Sequence, residues 1–315
     1  MQIALPIALQ KSDELKPYID AKNRLEERYK KKSVEIGAFF YQHRDMTTAQ
    51  VEKAILNSEQ VCVISTQLDY TKDLLADNAD ALRRSVFMSS SLKNKSERLS
   101  VDFHVGVQAT DEPGVSTLHK NYDKTFAAIA SSIGVLADEA KARGVGLTVE
   151  NSPPVTMEPQ AKYMSFTTLE DLKRLRKEVG RRNVGVTFDV AVYALMNVLH
   201  ASEWEEIKQI TALANSCASW EEFTDAYGTY KDWLREATEF HISNSTGLTC
   251  HVPGSREAKQ FGEMGTTEGG LTREDLLLAM KAADEKRAVC SIEVTLDLKN
   301  LTYIEVDGFL KFLWG

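Results

Sequence analysis

The chain has 315 residues, long for one domain but within the span of a single α/β barrel. Its net charge of −8, from 38 Lys and Arg against 46 Asp and Glu, weighs against nucleic acid as the main partner. The N-terminus lacks a basic leader, no apolar run approaches the about 20 residues of a membrane span, and Cys62, Cys217, Cys250 and Cys290 form no C-x-x-C pair; a cytoplasmic protein without a disulfide framework is expected.

Short apolar runs recur at 3–8, 34–39, 61–64, 101–107, 145–150, 184–189, 240–242 and 289–294. Helical patterns follow them, which predicts parallel βαβ units. Eight such units predict a closed (β/α)₈ barrel, a TIM barrel, forming one domain over 1–315. Leu118, Tyr122, Phe126, Ile129, Ile133, Leu136 and Ala140 recur at helical spacing, with Gly144 as a stop. Thr167 or Thr168 can cap a helix at 169–179 that Gly180 ends. Thr272 can cap one at 274–283, with acids in its first turn, where the helix dipole favours them. The connection from about Val190 to Glu239, with Trp204, Trp220 and Trp233, exceeds a minimal crossover. It predicts extra helices between strands six and seven, an insert at approximately 195–237 packed beside the barrel mouth. Cys62 and Cys290 sit inside apolar runs, where a buried thiol is the expected reading.

Side chains alternate faces along a strand. Gly146, Thr148 and Glu150 share one face; Val145, Leu147 and Val149 share the other. Gly185, Thr187 and Asp189 oppose Val184, Val186 and Phe188. Val289, Ser291 and Glu293 oppose Cys290, Ile292 and Val294. Asp102, His104 and Gly106 oppose Val101, Phe103 and Val105, and Phe240 and Ile242 flank His241. The apolar sets predict contact with the surrounding helices, and the small and polar sets predict the barrel axis. The ionisable residues fall near the C-terminal ends of their strands, where barrel enzymes place their chemistry. Acids from separate strands aimed at one axis repel one another, and burying them unpaired is unfavourable. A cation removes the conflict. Glu150, Asp189, His241 and Glu293 form an oxygen-rich donor set suited to one divalent metal: Mn²⁺, Mg²⁺, Co²⁺ or Zn²⁺.

The sequence resembles the xylose isomerase-like barrel superfamily, and within it the sugar phosphate isomerases/epimerases and ketose 3-epimerases. The resemblance is carried by Ala-Arg-Gly-Val-Gly-Leu-Thr-Val-Glu-Asn at 142–151, Thr-Phe-Asp at 187–189 and Phe-His-Ile-Ser-Asn at 240–244. Gly-Glu-Met-Gly-Thr-Thr-Glu-Gly-Gly-Leu-Thr at 262–272 and Ser-Ile-Glu-Val at 291–294 complete it. It implies metal ligands on strands five to eight, which fall on Glu150, Asp189, His241 and Glu293. It also implies that Glu150 and Glu293 act as the acid/base pair. Two positions depart from the ketose 3-epimerase pattern. Val192 stands where those enzymes carry a histidine, and Glu158 is displaced from their second glutamate after strand five.

The function implied is a metal-dependent isomerase or epimerase of a sugar or sugar phosphate. It would abstract a proton alpha to a carbonyl through a metal-stabilised enediolate. His104, Asn151, Asn244, His251 and Arg256 are expected to contact substrate, with Arg256 suited to a phosphate or carboxylate. A dehydratase of a cyclic polyol or ring acid begins with the same proton abstraction. An endonuclease IV-like enzyme on this barrel calls for further histidines to assemble three zinc ions, where this chain has Ser65 and Val192. A barrel kept for binding alone does not explain Glu150 and Glu293. The expected partner is a small carbohydrate, with neither nucleic acid nor membrane; a homo-oligomer is in keeping with the resemblance.

Overall fold

A computed structural model of the chain describes residues 2–7, 15–30, 35–42, 49–66, 79–93, 99–108, 117–151, 163–165, 168–198, 201–205, 217–245, 269–292 and 304–315. Eight parallel strands close on themselves: β1 (Gln2–Ile7), β2 (Glu35–Gln42), β3 (Val61–Thr66), β4 (Ser100–His104), β5 (Gly146–Glu150), β6 (Val184–Asp189), β7 (Glu239–Ile242) and β8 (Cys290–Ile292). Each pairs with the next in sequence, and Ile3↔Cys290 with Ala4↔Ser291 seals the ring. Each predicted run contributes one barrel strand.

Among the described residues the α-helices are α1 (Leu15–Tyr29), α2 (Ala49–Asn57), α3 (Ala79–Ser91), α4 (Thr117–Lys141), α5 (Leu169–Val179), α6 (Val190–Val198), α7 (Trp220–Tyr227), α8 (Tyr230–Glu236), α9 (Arg273–Glu285) and α10 (Ile304–Trp314). Their boundaries follow from local chemistry. The Thr168 hydroxyl accepts from the Asp171 N–H to start α5, and Gly180, at φ 61°, ends it in the left-handed region. Thr272 and Asp275 form a reciprocal capping box at α9. None of the described helices is long and apolar enough to cross a membrane.

Strand parity sorts the core. Val145, Leu147, Val149, Val184, Val186, Phe188, Phe240, Ile242, Cys290 and Ile292 belong to the main apolar core. The Cys290 thiol is fully buried there, and desolvation pushes its pKa up to about 12, so it stays protonated and unreactive. Ala4, Val63 and Val289 form a separate small cluster. Val289 shares parity with Ser291, which places this apolar plug inside the ring.

Two features depart from the linear reading. The run 101–107 divides: β4 ends at His104, and Gly106–Gln108 pairs antiparallel with Tyr163–Ser165 in a separate ribbon. Both segments follow barrel strands at their C-terminal ends, so the ribbon lies on the mouth side. The connection between β6 and β7 carries α6, α7 and α8. There Trp233 stacks on Phe188 with ring centroids 5.1 Å apart and donates from Nε1 to the Tyr227 carbonyl.

The ends of the chain are clasped. Asp307 on α10 accepts from Arg28 and, at 2.9 Å each, from the Tyr29 hydroxyl and Lys311. Burial pushes the Asp307 carboxyl up, but the bonds from Arg28, Lys311 and Tyr29 outweigh it and hold the pKa below the ordinary value. The clasp therefore adds stability above the unfolded pKa of about 3.9 and loses it as pH falls through the lower folded value. Asp307→Ala is expected to cost about 1 kcal/mol at neutral pH, with the partners largely at the surface. Urea melts check it: the difference from the parent should shrink as pH falls below about 3.9. An equal difference at pH 3 and pH 7 would place the effect in packing rather than in charge.

Candidate metal and catalytic site

The polar faces of β4 to β8 converge on the barrel axis. Register sets their depth: His104 pairs with Glu150, Glu150 with Thr187, Asp189 with His241 and His241 with Ser291. Gly185 keeps the interior open. A Cβ there would lie 2.0 Å from the Thr238 hydroxyl, which is itself held between the Val186 N–H and carbonyl.

Glu150 is the hub. Its Oε1 lies 3.0 Å from His241 Nδ1, and its Oε2 lies 3.0 Å from His104 Nε2. Glu150 and His241 are buried, while His104 is 22% exposed and faces the mouth. Donor atoms of Asp102, Glu150 and His241 all lie within 4.8 Å of one another. Ligands bound at 2.0–2.2 Å sit about 3 to 4.4 Å apart around one ion. Glu150 Oε1 and His241 Nδ1, 3.0 Å apart, match that spacing, and Asp102 lies close enough either to join them or to hold the imidazole from below.

The charge balance points the same way. Burial raises the Asp102 pKa above the ordinary value; His241 opposes it, Glu239 adds to it, and contacts with Glu150 and Thr187 pull it back without cancelling the rise. The rise is mainly the cost of taking the carboxyl out of water, which His241 does not fully offset.

Asp189 ends β6 and is buried, its Oδ1 accepting the Ala191 N–H at 2.8 Å as α6 begins. The two asparagines expected to touch substrate engage backbone groups. Asn151 is fully buried; its amide donates to the Asp189 carbonyl at 3.1 Å and accepts the Asp189 N–H at 2.6 Å, tying the end of β5 to that of β6. Asn244, also fully buried, donates to the Leu271 carbonyl and accepts from the Leu271 and Ser245 N–H groups. The segment it holds admits only glycine: a Cβ on Gly269 would sit 2.4 Å from Asn244 Oδ1, and one on Gly270 would sit 2.0 Å from the Ala194 carbonyl. Val192 is buried within α6. Glu293, His251, Arg256 and Glu158 lie outside the described residues.

Two acids were given no role from sequence. Asp102 shares the face of His104, and Glu239 shares that of His241, one residue before the apolar run was taken to begin. Both are buried beneath the histidine. The parity that marks His241 also marks Glu239 once the strand is extended by one residue.

A family model described as xylose isomerase-like TIM barrel matches residues 16–247. The chain belongs to that family. Solved structures repeat the fold. A xylose isomerase domain protein from Planctomyces limnophilus is 12% identical with a TM-score of 0.57, over 99% of this chain and 95% of that one. A xylose isomerase-like TIM barrel protein from Mycobacterium smegmatis, in complex with magnesium, is 13% identical with a TM-score of 0.51, over 99% and 96%. The probable 3-DHS dehydratase AsbF of petrobactin synthesis from Bacillus anthracis is 13% identical with a TM-score of 0.53, over 98% and 99%. No curated protein matches the sequence.

Proposed function

We propose that the chain is a metal-dependent isomerase or epimerase of a sugar or sugar phosphate, acting by removal of a proton alpha to a carbonyl. The observation that supports this reading is the buried meeting of Glu150 and His241 with further acids on the axis of a barrel of this family. The proposed ligands are Glu150, Asp189, His241 and Glu293, the last on sequence grounds. The magnesium in the Mycobacterium smegmatis relative is in keeping with an oxygen-rich site of this kind.

A divalent cation held by Glu150, Asp189, His241 and Glu293 would supply Lewis acidity beside the reacting carbonyl. Glu150 ends β5 and Glu293 follows β8 in sequence; in this reading the two carboxylates would address opposite faces of one carbon. One takes the alpha proton and the other returns it on the opposite face for epimerisation; a single acid can move it between neighbouring carbons for isomerisation. His104 holds Glu150 from the mouth side through Oε2. Asn151 and Asn244 fix the strand ends, and His251 and Arg256 are proposed substrate contacts.

The test is a panel of ketoses, aldoses and cyclic polyols with Mn²⁺ in deuterium oxide, followed by NMR. Deuterium is expected at the carbon alpha to the carbonyl. Glu293→Gln should abolish that exchange, and normal exchange in this variant would refute the acid/base role. His241→Ala should lose its metal by elemental analysis; unchanged content removes it from the ligand set. Loss of water to an enone instead of exchange with return would assign the dehydratase reaction.

A further inference from the structure

An imidazole that gives one nitrogen to a metal carries its proton on the other, and the partner of that second nitrogen fixes the ring. The two nitrogens of His241 face different acids. Nδ1 lies 3.0 Å from Glu150 Oε1, while Nε2 lies 3.9 Å from Asp102 Oδ2 and 3.8 Å from Glu239 Oε1. The lower acids are themselves fixed. Ser100 donates to Glu239 Oε2, and the Thr148 hydroxyl lies 3.1 Å from that same oxygen and 3.4 Å from Asp102 Oδ1. Strands β4, β5 and β7 thus hold two carboxylate oxygens almost equally far from one nitrogen.

Depth distinguishes the two ends of the ring. Glu150 pairs with His104 at the strand ends, where the mouth begins. Asp102 precedes His104 by two residues and Glu239 precedes His241 by two, so both sit one layer deeper on the same face, fully enclosed. The Glu150 side of the ring is the one nearer the mouth, beside the partly exposed His104. Buried carboxylates are costly unless positive charge faces them, and an N–H made more polar by a cation on the far nitrogen suits the space between these two.

We infer that Asp102 and Glu239 are positioning residues for His241: their oxygens, 3.9 and 3.8 Å from Nε2, favour the proton on that nitrogen and so turn Nδ1, beside Glu150, toward the metal. The inference rests on His241 being a metal ligand, as proposed above. In the opposite arrangement Nε2 would bind the ion, Asp102 and Glu239 would be fellow ligands, and Glu150 would orient the ring.

The experiment uses the full chain labelled with ¹⁵N-histidine and loaded with Zn²⁺, the His241 ring being read by long-range proton–nitrogen NMR. The expected result is a proton on Nε2 that exchanges slowly with solvent. Asp102→Asn and Glu239→Gln should each weaken Zn²⁺ binding by about ten- to a hundredfold and speed exchange of that proton. A proton on Nδ1 in the zinc-loaded parent overturns the inference, and this reading decides even where a variant fails to fold. Parental affinity and exchange in both variants also overturn it. His241→Ala separates the two proposals. If it loses zinc while the acid variants behave as the parent, only this inference falls; if it keeps zinc, the metal-centre reading falls and takes the inference with it.

Discussion

Glu150→Gln is expected to lose at least about 100-fold in divalent metal affinity, and with it about 10²- to 10⁴-fold or more in turnover on any substrate the parent accepts. The side chain keeps its volume, so packing is not at issue. What changes is that a buried carboxylate becomes an amide between two imidazoles, each 3.0 Å from one of its oxygens. The amide offers one acceptor where there were two, no charge for a cation, and no site for a substrate proton. The metal-free variant should be as stable as the parent or more so. Asp102, Glu239 and Asp189 remain buried around His241, and removing one negative charge relieves their repulsion. Calorimetric titration with Mn²⁺ beside thermal melts of both metal-free proteins checks this. Parental affinity in the variant would take Glu150 out of the metal site, and a large fall in metal-free stability would make its role structural.

The barrel was legible because its signals are local and repeated. Each strand core is a short apolar run, and a period of two divides wall from axis without tertiary information. Cys290 and Ile292 face the helices and Ser291 faces the axis, as alternation requires. Thr168, Gly180 and Thr272 bound their helices through bonds reaching only a few residues along the chain. What was not legible depends on partners distant in sequence. The pairing of Gly106–Gln108 with Tyr163–Ser165 exists only once β4 and β5 stand side by side. Nothing local to Asn151, beside a strand-end glutamate, shows that the Asp189 backbone engages both ends of its amide. Glu239 was hidden by polarity at a strand edge. Asp102 was visible on the inner face, but nothing local to β4 shows that a histidine from β7 lies above it. The Arg28–Asp307 clasp joins opposite ends of the chain and leaves no trace in either segment.

Trp233→Ala is expected to cost about 3–5 kcal/mol, the range for removing a large buried aromatic side chain. Three contacts are lost together. The indole is fully buried, it stacks nearly parallel on Phe188 with an interplanar angle of 11°, and its Nε1–H satisfies the Tyr227 carbonyl. Phe188 also meets Tyr193 and Tyr230 edge-on, so the indole is one side of an aromatic cluster joining α6, α7 and α8 to the outer face of β6. Phe188 immediately precedes Asp189, whose backbone is clamped by Asn151. A void behind Phe188 therefore loosens the strand end that carries a proposed ligand. The variant should melt on the order of 10 °C lower, and its divalent metal affinity should fall even though Trp233 touches no donor atom. Trp233→Phe, which keeps the stacking face and gives up the indole N–H, should recover most of both. Denaturant melts and metal titration on the two variants decide it. A loss below about 1 kcal/mol in the alanine variant would mean that the insert is not held through this contact, and a stability loss with unchanged metal affinity would mean that β6 holds Asp189 without help from behind.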